Sequence, residues 1–254
     1  MLPTLIQRGV SAPKTALEGW EVYWKGIKST GPGGDVLWDP AHAEEIEFCL
    51  QKSLQHAERS LPIIDIGCGN GRFTRVLAKA FARAVGIDLS HSAVERARRE
   101  SAENNATFQV QDVASSGWAQ SLRGELGDVN VFIRGVLHIL DHRQKQVLVD
   151  NVQILLGKRG TVFLLETAFE GGPLDYLEFL GAKSGKLPHQ LDQAISAGLP
   201  KPQRFSQSEL ERYFPRETFQ VLESGAAPIF AVGMNPGASV EKIPGFYAAL
   251  RARA

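Results

Sequence analysis

Residues 61–71 read Leu-Pro-Ile-Ile-Asp-Ile-Gly-Cys-Gly-Asn-Gly, an apolar run that leads directly into alternating glycines. A short apolar run bounded by glycine predicts a buried strand followed by a turn. Glycine tolerates positive φ and lacks a Cβ, so the backbone of such a turn can come close to a ligand. The stretch therefore predicts a strand with a ligand-binding loop at its carboxyl end.

Further apolar runs alternate along the chain with segments of helical spacing. The runs predict five strands, at residues 61–66, 84–88, 107–111, 128–133 and 160–166. Strands that alternate with helices predict a mostly parallel sheet with helices on both faces. We therefore expect an α/β fold with a Rossmann-like doubly wound sheet, whose ligand crevice lies beyond the carboxyl ends of the central strands.

The chain changes character after the fifth predicted strand. Residues 168–205 are rich in Gly, Pro and Leu and show no clear period. Ser206, with an acid three positions later, predicts a capped helix over 206–214. The runs 219–223 and 228–232, separated by Gly225-Ala-Ala, predict an antiparallel strand pair that closes the sheet.

Composition restricts the classes of partner. The 254 residues contain 28 Lys plus Arg and 28 Asp plus Glu, whereas a nucleic-acid binder is expected to carry a basic excess. Cys49 and Cys68 form no zinc-type spacing with histidine, so no metal is expected. No segment approaches the roughly 20 apolar residues of a membrane span, and the N-terminus shows no cleavable signal. We expect a cytoplasmic protein with a small-molecule substrate and no nucleic-acid or membrane partner; the oligomeric state is not predicted.

The glycine spacing separates two kinds of nucleotide loop. The glycines lie at positions 67, 69 and 71, and Arg72 stands where a dinucleotide fingerprint has its third glycine. A Walker-type Gly-Lys-Ser/Thr is also absent from the loop. The spacing therefore disfavours a dehydrogenase, which stays an outside alternative, and an ATP-hydrolysing enzyme.

The stretch from Asp65 to Gly71 resembles the Glu/Asp-x-Gly-x-Gly-x-Gly motif of class I S-adenosylmethionine-dependent methyltransferases, and the resemblance extends over about residues 60–235. It implies that S-adenosyl-L-methionine is the cofactor and S-adenosyl-L-homocysteine the product. It also implies that the loop wraps the methionine part of the cofactor, through Asp65, Gly67, Cys68 and Gly69.

Two later strand ends also match this family. Asp88 ends the second predicted strand, and the resemblance implies that its carboxylate holds both ribose hydroxyls, with Leu89 beside it. Asp112 and Val113 follow the third strand, where family members bind adenine through an acid and the next backbone amide. Both pairs are predicted to belong to the cofactor site.

The segment from Arg134 to Asp141, after the fourth strand, resembles that of small-molecule O-methyltransferases, in which a histidine is the general base. The matching residue is His138, and Arg134 is assigned to the cofactor site. The caffeate-type enzymes have His-Asp-Trp, whereas this chain has His-Ile-Leu, so two interpretations stay open. His138 either removes a proton or packs against the cofactor. Glu166, at the end of the fifth strand, is the second catalytic candidate, because it could orient His138 or bind a substrate hydroxyl.

The N-terminal segment carries unusual aromatics. Trp20 and Trp24 are four residues apart and share one helix face, and glycine-rich residues 31–35 precede Trp38. Thiopurine-type and other small-molecule methyltransferases begin with such an arm, which closes over the cofactor. The resemblance therefore places Trp24 and Trp38 in the cofactor site; the alternative is that the tryptophans anchor the arm to the core.

The resemblance also implies the organisation of the chain as one methyltransferase domain, 1–254. Its parts are an arm or lid, a cofactor-binding core, a substrate-recognition insertion, and closing strands with a tail, at residues 1–58, 60–167, 168–214 and 215–254. In the insertion, an apolar pocket wall is suggested by Tyr176, Phe179, Leu180 and Leu187. Its basic side chains could meet an anionic group or be solvated at the surface; these are Lys183, Lys186 and His189.

The leading hypothesis is methyl transfer to a hydroxyl of a small, partly apolar metabolite. N- or S-methyl transfer is the first alternative, because those acceptors do not require His138 as a base. The second alternative is a protein that binds the cofactor but catalyses a non-methylating reaction or only binds it.

Overall fold

The computed structural model describes residues 15–101, 105–183, 186–235 and 237–253. Seven strands form one sheet in the order β3-β2-β1-β4-β5-β7-β6. Their bounds are Ile63–Ile66 (β1), Ala84–Asp88 (β2), Ala106–Val110 (β3), Asn130–Arg134 (β4), Thr161–Thr167 (β5), Phe219–Val232 (β6) and Val240–Ala252 (β7). The first five strands are parallel, and β7 runs antiparallel to both β5 and β6. The predicted α/β, Rossmann-like doubly wound fold is confirmed.

Helices cover both faces of this sheet. Their bounds are Ala16–Gly26 (α1), Ala43–His56 (α2), Arg72–Leu77 (α3), His91–Glu100 (α4), Trp118–Leu126 (α5), His142–Leu156 (α6), Pro173–Phe179 (α7), His189–Ser196 (α8) and Gln207–Tyr213 (α9). Apolar residues of α5, α6 and α9 form one core with the sheet. Residues of α2, α3 and the segment 180–191 contribute to a second core. Among the helices of the described residues, none is long and apolar enough to span a membrane.

The sheet reverses its direction of growth at β1. The chain adds β2 and β3 on one side of β1 and then returns to place β4 on the other side. All four residues of β1 are buried, as expected for a central strand covered on both faces. The loops after β1 and β4 diverge at this point, which opens a crevice at the carboxyl ends of the strands.

Side-chain caps are present at the starts of two helices, whereas the cap predicted at the start of a third helix is absent. Ser90 accepts a hydrogen bond from the backbone N–H of Ala93 at 3.2 Å, and Asp141 begins α6 with a capping box. Ser206 precedes α9 as expected, but its side chain makes no cap bond. The acid expected to complete that capping box, Glu209, lies instead 3.4 Å from Lys145 Nζ.

The predicted antiparallel pair that closes the sheet is confirmed, but its two strands are not the predicted ones. Residues 219–232 form one continuous strand, β6, with a bulge near Val221, and its antiparallel partner is β7. Gly225 does not break the strand: a Cβ there would lie 3.1 Å from the ring of Tyr247, so the glycine leaves room for a residue of β7. The residues expected to form a tail are therefore a strand inserted between β5 and β6.

Gly245 of β7 provides a test of how tightly this hairpin is built. A Cβ at Gly245 would lie 2.5 Å from the backbone oxygen of Ala227, which cannot move as a side chain can. We expect Gly245→Ala to lower the free energy of unfolding by about 1–3 kcal/mol, the usual cost of overpacking. Urea denaturation measures this change. Gly225→Ala, where the added methyl meets only the Tyr247 ring, is the matched control and should cost less; equal losses would contradict the steric account.

Candidate active site

A cavity of about 220 Å³ lies at the carboxyl ends of the strands and spans the point where the sheet reverses direction. Every residue predicted for the cofactor site lines this cavity; these are Trp24, Trp38, Asp65, Gly67, Cys68, Gly69, Asp88, Leu89, Asp112, Val113 and Arg134. His138 also lines it, whereas Glu166 does not. The fold thus brings together residues separated by more than 100 positions, and their individual roles stay predictions.

The glycine loop requires glycine for steric reasons. Gly67 and Gly69 have φ of 72° and 54°, in the left-handed region that side chains rarely adopt. A Cβ on Gly67 would lie 2.4 Å from the Val136 side chain, and one on Gly69 would lie 2.9 Å from the Trp24 ring. The loop is therefore packed between the segment after β4 and the N-terminal arm.

Asp88 presents a fixed carboxylate to the cavity. Its Oδ2 accepts the backbone N–H of Gly69 at 2.9 Å, and its Oδ1 accepts that of Ser90 at 2.9 Å. Burial raises the pKa of Asp88 to about 6, although these hydrogen bonds act in the opposite direction. A carboxylate has about four acceptor positions, so two donors leave capacity for hydroxyl groups in the cavity.

Asp65 adds a second buried acid to the same loop. Burial, together with the neighbouring charge of Asp88, raises its pKa to about 7, although the hydrogen bond from the Thr74 hydroxyl acts in the opposite direction. Two carboxylates that are difficult to ionise together favour a cation in this part of the cavity.

His138 lies in a short 3-10 turn, Leu137–Ile139, directly after β4, and is held by Glu166. Glu166 Oε2 lies 2.6 Å from His138 Nδ1, and its Oε1 accepts the backbone N–H groups of Val136 and Leu137 at 3.0 and 2.9 Å. Glu166 is 0% exposed, so it neither faces solvent nor reaches the cavity. A carboxylate at Nδ1 selects the tautomer with its proton there and leaves Nε2 as the proton acceptor. The described residues give Nε2 no hydrogen-bond partner.

Arg134 lines the cavity with its charge already compensated. Its Nε and Nη2 donate to the two carboxylate oxygens of Glu45 at 2.6 and 2.9 Å, and Nη1 donates to the Trp38 carbonyl oxygen. Both side chains are buried. The guanidinium, predicted to serve the cofactor, thus ties β4 to α2 and to the arm. No local sequence pattern identifies Glu45 as the partner of Arg134, because the two residues are 89 positions apart.

The arm is attached on both sides of the glycine loop. On α1, Glu21 accepts hydrogen bonds from the hydroxyls of Ser90 and Ser92 at 2.7 and 2.6 Å. Although burial raises it, these hydrogen bonds lower the pKa of Glu21 to about 2. Between α1 and α2, Asp39 forms an ion pair with Arg72 and accepts a hydrogen bond from Asn70 Nδ2 at 2.9 Å. The arm therefore covers the loop directly.

The tryptophans of the arm line the cavity and also pack against other aromatic side chains. Trp20, Trp24 and Trp38 all line the cavity. Trp20 and Trp38 also contact each other edge to face at 5.6 Å, and Tyr23 stacks on Trp38 at 5.5 Å. They belong to one apolar cluster with Ala93 and Ala197, outside the arm, and the tryptophans also form a wall of the cavity.

The insertion contributes one of its predicted wall residues. Tyr176 lines the cavity, whereas Phe179, Leu180 and Leu187 are not part of the lining. The sequence did not single out several apolar residues of that wall, namely Phe73, Phe132, Ile229, Ala231 and Ile243. They come from β4, β6, β7 and α3, so only the packed sheet brings them together. Within the described ranges, no group of three or more His, Cys, Asp or Glu could hold a metal ion.

The chain matches one family and several characterised proteins. The family described as a methyltransferase domain matches residues 63–160, which carry β1 to β4 and the loops that follow them. A ubiquinone biosynthesis O-methyltransferase of Methylococcus capsulatus is 36% identical over 78 residues, covering 31% of this chain and 32% of that protein. A lysine N-methyltransferase of Rattus norvegicus is 34% identical over 112 residues, covering 42% of this chain and 47% of that protein. The matches thus span less than half the length of these curated relatives.

A solved structure resembles nearly the whole chain. The SAM-dependent methyltransferase of Anabaena variabilis superposes with a TM-score of 0.82 at 28% identity, covering 96% of this chain and 97% of that one. The likeness therefore extends beyond the family match to the arm, the insertion and the β6–β7 hairpin.

The buried Arg134–Glu45 pair can be tested without a ligand. Glu45→Gln leaves the guanidinium buried beside a neutral partner, so we expect the free energy of unfolding to fall by about 3–5 kcal/mol. Glu44→Gln is the matched control, because Glu44 is exposed and pairs with Lys242 at 3.3 Å. That variant should lose no more than about 1 kcal/mol. Urea denaturation distinguishes the two, and a similar small loss for both would contradict the structural role of the pair.

Proposed function

We propose that this chain, which carries a methyltransferase domain at residues 63–160 and resembles a SAM-dependent methyltransferase over 96% of its length, transfers the methyl group of S-adenosylmethionine to a hydroxyl of a small, partly apolar metabolite. The observation that carries the choice of oxygen is the His138 ring, which lines the cavity while Glu166 holds its Nδ1 at 2.6 Å. An oxygen acceptor has to lose a proton during transfer, and a histidine so oriented can take it.

The residues of the cavity fit the cofactor of the family. When bound, S-adenosylmethionine supplies an electrophilic methyl group on a positively charged sulfur. Gly67 and Gly69, in left-handed backbone conformations, line the cavity. Asp88 offers free acceptor positions suited to ribose hydroxyls. Asp65 lines the cavity and carries negative charge above its raised pKa of about 7. Asp112 and Val113 lie at the end of β3, where we propose that adenine binds.

In the proposed reaction, His138 is the base and Glu166 positions its ring. His138 Nε2 accepts the proton of the acceptor hydroxyl, which increases the electron density on the attacking oxygen. Glu166 compensates the positive charge that then forms on the ring, and its bonds to the backbone keep the ring in place. Glu166 is therefore a positioning residue and not a group that touches the acceptor.

Amine acceptors form the second candidate class. One matched relative is a lysine N-methyltransferase, and the acids that line the cavity, among them Asp65 and Asp88, would attract a cationic amine. Thiol transfer and a non-methylating use of the cofactor are further alternatives. We propose that the partner is a small molecule and not nucleic acid or a membrane; the zero net charge supports the choice against nucleic acid. We also propose that the protein acts in the cytoplasm.

Cofactor affinity should depend on pH with a defined sign. Asp65 and Asp88, with pKa values of about 7 and 6, take up protons as the pH falls from 8 to 5. Protonation removes negative charge and an acceptor oxygen, so S-adenosylmethionine should bind more weakly at pH 5. Calorimetric titration measures the dissociation constant, and S-adenosylhomocysteine, which lacks the sulfonium charge, should show a smaller change.

A substitution of Asp88 tests its proposed role in binding the ribose of the cofactor. Asp88→Asn should weaken binding of both cofactor forms at pH 8 by about 10- to 100-fold, because a charged hydrogen-bond acceptor is lost. Asp150→Asn, at an exposed position of α6 bonded to Gln146, is the matched control. Unchanged affinity in Asp88→Asn would remove the ribose assignment.

The base is tested by His138→Ala. Turnover with a hydroxylated acceptor, measured as release of S-adenosylhomocysteine, should fall by about 10²- to 10⁴-fold while cofactor affinity stays near that of the wild type. His189→Ala removes an exposed histidine 3.5 Å from Asp35 and serves as the control. Normal turnover in His138→Ala would eliminate the base and favour an acceptor that needs none.

A further inference from the structure

The cavity has two parts of different chemistry on the two sides of β1. The cofactor part lies over β1, β2 and β3 and contains the acids Asp65, Asp88 and Asp112. We call the other part the acceptor half. It lies over β4, β5, β7 and β6 and is lined by Phe132, Thr167, Tyr176, Ile229, Ala231 and Ile243. An acceptor reaching His138 from this side meets mostly apolar and aromatic groups.

The lining offers no unpaired cation within the part of the chain that the structure describes. Its two arginines are compensated, Arg72 by Asp39 and Arg134 by Glu45, and no lysine lines it. The basic residues of the insertion, Lys183 among them, lie outside the lining. An anionic group on the acceptor would therefore lose its hydration without gaining a counter-ion from the lining side chains, which is strongly unfavourable.

Two side chains of the acceptor half carry hydroxyl groups, and only one of them is engaged. Thr167 Oγ1 accepts the backbone N–H of Phe169 at 3.4 Å and lies 3.5 Å from the Pro244 carbonyl oxygen. Tyr176 contacts Phe169 through its ring at 5.2 Å, and the described residues give its hydroxyl no partner. Burial raises the pKa of Tyr176 to about 12, so the hydroxyl keeps its proton at neutral pH. Such a group gains from a polar partner on a ligand.

Building on the proposed function, we propose that the acceptor is an uncharged aromatic compound with two oxygen substituents, one deprotonated by His138 and the other hydrogen-bonded by the Tyr176 hydroxyl. The deprotonated oxygen uses its electron pair to bond the methyl carbon. The carbon–sulfur bond breaks as this bond forms, and its electron pair stays on sulfur. The proton of the hydroxyl passes to His138 Nε2 and then to solvent, so one proton is released per methyl ether formed.

The first arm of the test compares matched acceptors. Wild-type protein is given S-adenosylmethionine with phenol, catechol, resorcinol or hydroquinone, and with the ring-carboxylated counterpart of each. We expect kcat/KM for the best uncharged dihydroxybenzene to exceed that of its carboxylated counterpart by at least about tenfold, since burial of an unpaired carboxylate is costly. Equal or better use of the carboxylated compounds would overturn the inference.

The second arm uses Tyr176→Phe. For the preferred dihydroxybenzene, kcat/KM should fall by about 3- to 10-fold, the effect of one neutral hydrogen bond, with most of the change in KM. For phenol, which lacks the second oxygen, it should stay near the wild-type value. Calorimetry should show the same selective loss for binding to the complex with S-adenosylhomocysteine. Tyr213→Phe is the matched control, because that hydroxyl contacts His142 outside the cavity.

The outcomes separate this inference from the proposed function. Equal losses for phenol and the dihydroxybenzene in Tyr176→Phe would overturn the role of Tyr176. If no phenolic compound is methylated although S-adenosylmethionine binds, the inference is overturned. Methylation of an aliphatic alcohol would in that case still support the proposed hydroxyl acceptor. Methylation of amines alone would overturn both the inference and the proposed hydroxyl acceptor.

Discussion

The carboxylate of Glu166, fully shielded from water, accepts hydrogen bonds from three consecutive backbone N–H groups and contacts the ring of His138. A buried charge is tolerated only when its hydrogen bonds are satisfied, so this acid sets the path of the turn after β4. Val136 of that turn fills the space that a Cβ on Gly67 would need. One buried acid at the end of β5 therefore relates the turn after β4 to the glycine loop after β1.

Two acids of the arm join it to the same region. Glu21 binds the serines that begin α4, and Asp39 binds Arg72 directly after the glycine loop. Between these contacts, Trp24 lies against Gly69. A ligand in the loop is thus covered by a segment that polar contacts and an apolar cluster with Ala93 and Ala197 hold in place.

Charge is distributed unequally along the cavity. The buried acids lie on the cofactor side, while Arg134, at the border with the acceptor half, is neutralised by Glu45. A buried charge without a partner is costly, so the distribution favours a cation on one side and an uncharged molecule on the other. The same pairing that stabilises the arginine also restricts the chemistry of the acceptor.

The sequence alone determined the parallel sheet, the glycine loop and the convergence of Asp88 and His138 on one crevice, because strand ends and glycine spacing are local signals and parallel strands end at one edge. It failed at Gly225, where a glycine typical of a turn makes room for a ring on the neighbouring strand. Only the tertiary structure decided that Glu166 lies behind His138, that Arg134 is already paired, and that Tyr176 reaches the cavity. These contacts join residues far apart in the chain, and their geometry arises only when the sheet, the helices and the insertion pack together.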